Sequence, residues 1–180
     1  MPTSLVMPSI VFGSNQYGHI IFSITGLDLS GKEEILLLEG IGYGIGDYAK
    51  QMFMSTKEDG YDAKHRLVAG QEYSVVLLPT ACIADTQKRT TKNLLAEGKN
   101  FGYGKSLAGS IPRIREGVSD KQIKDAKFQY VVPLHDPITG DGEVKRVFNI
   151  NLRLFGPWIR SYREDSGPWL DDGAVALFAN

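Results

Sequence analysis

Five basic side chains, Lys88, Arg89, Lys92, Lys99 and Lys105, fall within eighteen residues, and Glu97 alone opposes them. Phe101 and Tyr103 stand among them with glycines on either side. Lysines along one stretch neutralise phosphates, and accessible rings offer stacking faces to unpaired bases. A second aromatic region runs Gly156-Pro157-Trp158-Ile159-Arg160-Ser161-Tyr162-Arg163 and then Gly167-Pro168-Trp169-Leu170. Both tryptophans sit in a Gly-Pro-Trp-aliphatic unit, where glycine and proline bend the chain just before each ring. Trp158 and Tyr162, with Arg160 and Arg163, have the chemistry to grip a base or a sugar face. The competing use of the same rings is to plug one end of a barrel.

Other chemistry is weaker. Gly98 to Ser106 ends in Gly-Lys-Ser, but five residues separate Gly98 from Gly104 where a phosphate loop needs four. Ile41 to Gly46 lacks dinucleotide-binding spacing. His19, His65 and His135 are far apart, with no helical pairing of metal-ligand type. His135, Asp136 and Asp141 flank a turn and could form an unrecognised enzymatic or cation site, although Asp-Pro and Asp-Gly are ordinary turn chemistry. Cys82, the single cysteine, lies in the apolar setting of a buried thiol.

These groups need a scaffold. At 180 residues the chain is read as one β-rich domain over 1–180. Phe128 to Leu134 and Phe148 to Leu154 alternate with period two and frame a turn-rich loop, which predicts a long hairpin. Its outer face would carry Gln129, Asn149, Asn151 and Arg153. Further strands are expected over Val6–Phe12, His19–Thr25, Glu34–Glu39, Glu72–Leu78 and Ala174–Phe178. Helices are expected over Asp47–Met54, over Asp85–Glu97 stopped by Gly98, and from Ser119, where Ser119 and Gln122 form a capping box. Thr56 to Lys64 is read as a polar loop. The sum is mainly β with two or three short helices, an antiparallel β-barrel or sandwich, with an OB-like barrel among the options.

The balance of 20 basic and 21 acidic residues gives no global pull toward nucleic acid or membrane, so binding has to be local. Met1 to Leu27 carries no charged side chain, which fits either central strands or a subunit interface. No basic residue precedes the first apolar stretch and no run reaches membrane-spanning length, so the expected compartment is cytoplasm, or host cytoplasm for a viral protein. Two readings compete. One is a non-catalytic binder of single-stranded DNA or RNA using Lys88, Arg89, Lys92, Lys99, Phe101, Tyr103, Lys105, Arg153, Trp158 and Arg160, with no cofactor and no metal. The other is a homo-oligomeric structural or assembly protein of viral shell or tail type.

Overall fold

The computed structural model describes residues 9–153, 156–165 and 167–179. They form a ten-stranded mixed sheet with helices on both faces. The strands are β1 (Gly13–Ser14), β2 (Ile20–Thr25), β3 (Gly44–Ile45), β4 (Glu72–Pro79), β5 (Tyr103–Gly104), β6 (Tyr130–Pro133), β7 (Ile138–Thr139), β8 (Lys145–Asn151), β9 (Trp158–Arg163) and β10 (Gly173–Ala179). The helices are α1 (Gly31–Gly40), α2 (Asp47–Phe53), α3 (Tyr61–Lys64), α4 (Thr91–Asn100), α5 (Ser110–Gly117) and α6 (Asp120–Asp125). The main order is β1-β2-β4-β10-β6-β8-β9-β3, with β5 added to β10 and β7 to β8. The sheet has two ends, β1 and β3, so the expected closed barrel is replaced by an open sheet.

Most neighbours are antiparallel, but β10 runs parallel to β6 and β3 parallel to β9. Sequence order hides such pairs. The last strand enters the middle of the sheet, between β4 and β6, and its run of Ala, Val and Leu is buried on both sides.

One face packs Leu38 of α1, Met52 and Phe53 of α2, Tyr61 of α3, Ile111 and Ile114 of α5 and Ile123 of α6 against Phe148, Ile150 and Ile159. The other face packs Leu94 of α4 and Trp169 against Val76, Leu78, Tyr130, Val132, Val147, Val175 and Leu177. Gly98 lets α4 settle on this second face, because a Cβ there would stand 2.4 Å from Leu177 Cδ1. Glycine at that point is a packing device inside the helix, not its stop.

The expected hairpin exists as β6 and β8, with Tyr130 opposite Asn151 and Val131 opposite Ile150. That register puts Tyr130 and Val132 on one face and Phe148 and Ile150 on the other. Asn149 and Asn151 are therefore buried, not solvent-facing, because helices or loops cover both faces. Leu154 lies outside the described residues.

Glu34–Glu39, read as a strand, is helical. Ser30 and Glu33 form a capping box that opens α1, and Glu34 turns inward as an ion-pair partner. The stretch Asp85–Glu97 divides into a 3-10 turn at Thr86–Lys88 capped by Asp85, and α4, whose cap is Thr90. α2 and the Ser119-capped α6 lie where the sequence places them. α3 occupies part of the expected polar loop. Ser9–Phe12 forms no strand, and Val6 to Pro8 lie outside the described residues.

Candidate functional site

On the second face, three rings converge where β6, β8 and β9 meet the Gly167–Leu170 loop. Tyr130 comes from β6, Tyr162 from β9 and Trp169 from the loop. Trp169 stacks on Tyr130 at 6.0 Å between centroids and 30°, and meets Tyr162 at 5.6 Å and 60°. With Arg153, Gly167, Pro168 and Leu170 they line an open cavity of about 200 Å³.

Each ring is held at its polar end. Tyr130 donates its hydroxyl to the Leu170 carbonyl at 2.6 Å, and burial pushes that phenol up to about 12, so it remains a donor. Asn151 donates its side-chain amide to the Tyr162 hydroxyl. Trp169 donates its indole N–H to Thr91 Oγ1 at 3.1 Å, and its backbone N–H bonds the Arg89 carbonyl at 2.8 Å. Tyr130 and Trp169 are 2% and 8% exposed and already touch, so a ligand meets their edges and the half-buried Tyr162 rather than passing between them. Rings fixed in this way lose little entropy on contact.

Arg153, about one-third exposed, pairs with Asp172 at the cavity wall. Two residues before Asn151, Asn149 lies opposite Arg160 in the β8–β9 pair. Asn149 is 0% exposed, yet neither atom of its amide is hydrogen-bonded among the described residues, and neither is Arg160 Nε. Unmet buried polar atoms are uncommon in a folded core, and neither Asn149 nor Arg160 lines the cavity.

The Trp169–Thr91 bond ties this cavity to the N-terminus of α4. The helix is about 15 Å long and ends beside β5. Lys92 and Lys99 are both exposed and stand seven residues apart, two turns on one side of α4, or about 10 Å. Neither makes an ion pair among the described residues. At the far end, Phe101 is half-buried and packs edge-on against His19 at 4.8 Å and the exposed Tyr17 at 4.9 Å.

The structure thus divides the residues that the sequence groups together. Lys88, Lys92 and Lys99 are exposed along α4 and its approach, Lys88 lying 3.6 Å from Asp85. Lys105 is exposed but ion-paired with Asp136. Trp158 and Arg160 sit at the β3–β9 edge, with the guanidinium 5.0 Å over the indole and the ring lying on Gly44. They are outside the aromatic cavity.

Two expected contact groups are interior. Arg89 is 6% exposed and gives its Nε and Nη2 to the Ile83 and Ala84 carbonyls at 2.7 and 3.0 Å, so it fastens a turn. Tyr103, expected to be accessible between its glycines, is 5% exposed, and its hydroxyl is bound by Asn15 at 2.6 Å and His19 at 2.9 Å. Its pairing with Ala179 fixes that orientation. Cys82, expected inside, is exposed.

The turn chemistry around His135 resolves differently. His135 is buried, and its Nδ1 donates to the Asp136 carbonyl at 2.6 Å while Nε2 accepts from the Phe148 amide at 3.1 Å. Burial, with His65 beside it at 5.2 Å, pushes it down to about 3. The ring is a neutral structural bridge. Asp136 is engaged by Lys105, and among the described residues no three His, Cys, Asp or Glu side chains gather as a metal requires.

Sequence reasoning named Tyr162 and Arg153 as candidate contacts, noted the bend before Trp169 without giving that ring a contact, and missed Tyr130, which reads as one more apolar residue of a strand. No known family model, curated protein or solved structure matches this chain. Among the described residues, no helix is long and apolar enough to cross a membrane.

Proposed function

We propose that the chain is a non-catalytic binder of single-stranded nucleic acid. A base or its sugar enters the Tyr130–Tyr162–Trp169 cavity, and the adjoining backbone passes Lys88, Lys92 and Lys99 toward Phe101 and Tyr17. The observation that supports this most is the Trp169–Thr91 bond, which places the cavity at one end of the exposed lysine line. Rings supply sequence-tolerant stacking, and lysines supply the salt-sensitive share of affinity. Arg153 adds a cation at the cavity wall once a phosphate competes with Asp172.

The test is tryptophan emission during titration with oligo-dT at low salt. The reading expects quenching, lost in Trp169→Ala and weakened about tenfold or more in Tyr162→Ala, the loss of one stacking partner. Phe101→Ala is expected to weaken binding without unfolding the protein. A large assembly that leaves the oligonucleotide unbound would favour the structural reading instead.

A further inference from the structure

A second cavity, of about 220 Å³, opens on the other face of the sheet, between β2 and α5. Ile10, Ile24 and Leu27 give it apolar walls, and Arg113 and Glu116 line it. Both polar side chains are withdrawn from solvent, Arg113 at 5% exposure and Glu116 at 2%. Arg113 Nη2 reaches Glu34 at 2.5 Å and stands 3.0 Å from Glu116 Oε1. Among the described residues its Nε and Nη1 have no acceptor, Glu116 Oε2 receives no hydrogen bond, and Glu116 Oε1 is held only by the ion pair with Arg113. Buried donors and acceptors left open side by side cost free energy that a fitting ligand would recover.

Charge narrows the ligand. An anion would satisfy Arg113 but meet Glu116 and Glu34; a cation would satisfy the carboxylates but meet Arg113. Burial, the largest influence, raises Glu34 to about 7 and also lifts Glu116, so burial works against charge on both carboxyls. A neutral group with an acceptor beside a donor answers both open partners at once, its oxygen taking an Arg113 N–H and its N–H going to Glu116. We propose that this cavity is a binding site for a small ligand bearing a primary carboxamide on an apolar body. It is separate from the aromatic cavity and does not depend on nucleic-acid binding.

Three ring compounds of one shape and different charge test it: benzamide, benzoate and benzamidine. Each is titrated into the whole chain labelled at the isoleucine and leucine methyls. Benzamide is expected to shift Ile10, Ile24 and Leu27 and to bind at least about tenfold tighter than either ion, the equivalent of one well-placed hydrogen bond. Glu116→Leu is expected to abolish that preference. Should Glu116→Leu fail to fold, Leu27→Trp fills the cavity from its half-exposed rim and is expected to abolish the shifts. Equal affinity for the three, preference for either ion, or benzamide shifts elsewhere would overturn the proposal.

Discussion

The ring of Tyr130 lies directly over Gly173, its partner across the parallel β6–β10 pair. A Cβ on Gly173 would stand 2.0 Å from Tyr130 Cζ. The other parallel pair repeats the arrangement, since a Cβ on Gly44 would stand 2.5 Å from the ring of its partner Trp158. In both, glycine leaves the space that an aromatic on the next strand covers. Gly173→Ala is expected to push Tyr130 out of the cavity wall, costing about 2 kcal/mol by overpacking. Urea denaturation measures the cost, and the Trp169 emission spectrum reports the displaced ring.

Thr91→Val keeps the shape of the side chain and removes the acceptor of the Trp169 indole. The expected loss is about 1 kcal/mol of stability. Because the bond joins the cavity to α4, oligonucleotide affinity is expected to fall as well. Isothermal titration of the variant with oligo-dT gives that second number.

Glu34 makes stability depend on pH in an unusual direction. Its folded carboxyl titrates at about 7, against an ordinary value of 4.5, because burial outweighs the attraction of Arg113; Glu116 and Tyr61 are its other close partners. The folded state then binds the proton more tightly than the unfolded chain. Stability from this group is full below pH 4.5 and is lost as pH rises to about 7, on the order of 3 kcal/mol in all. Thermal melts across that window are expected to show the decline, and Glu34→Gln to flatten it.

His135 works in the opposite sense. Its folded value near 3 lies below the ordinary 6.5, so the unfolded chain takes up the proton first. Its contribution is complete above pH 6.5 and is lost progressively as pH falls toward 3. Nitrogen-15 NMR is expected to show a neutral ring protonated on Nδ1 at pH 5, where a free histidine is mostly charged.

The legible parts of this fold were those set by local signals. Ser119 and Gln122 mark α6, and the β-branched apolar run of β4 and the alternation of β8 mark strands. The same capping signal stands at Ser30 and Glu33 and went unread, because the unbroken run Ile35–Leu38 reads as a buried strand. α5 is hard to read because it spans only eight residues, has no side-chain cap at Gly109 and carries Pro112 in its first turn. The parallel entry of β10 beside β6 is a long-range pairing that no local pattern encodes. At the site, the bends before Trp158 and Trp169 were readable. That Trp169 would meet Tyr130 while Trp158 covers Gly44 depended on that same long-range order.

The most direct test is the salt dependence of oligo-dT binding, by fluorescence anisotropy, for the wild type and for Lys92→Ala/Lys99→Ala. Phosphate contacts at Lys88, Lys92 and Lys99, with Arg153 as a fourth, give an expected slope of log K against log salt of about −3. Removing two of them is expected to flatten the slope by about 1.4 units while Trp169 quenching at saturation persists. No binding at low salt, or a slope unchanged in the double variant, would contradict the assignment of this face to nucleic acid.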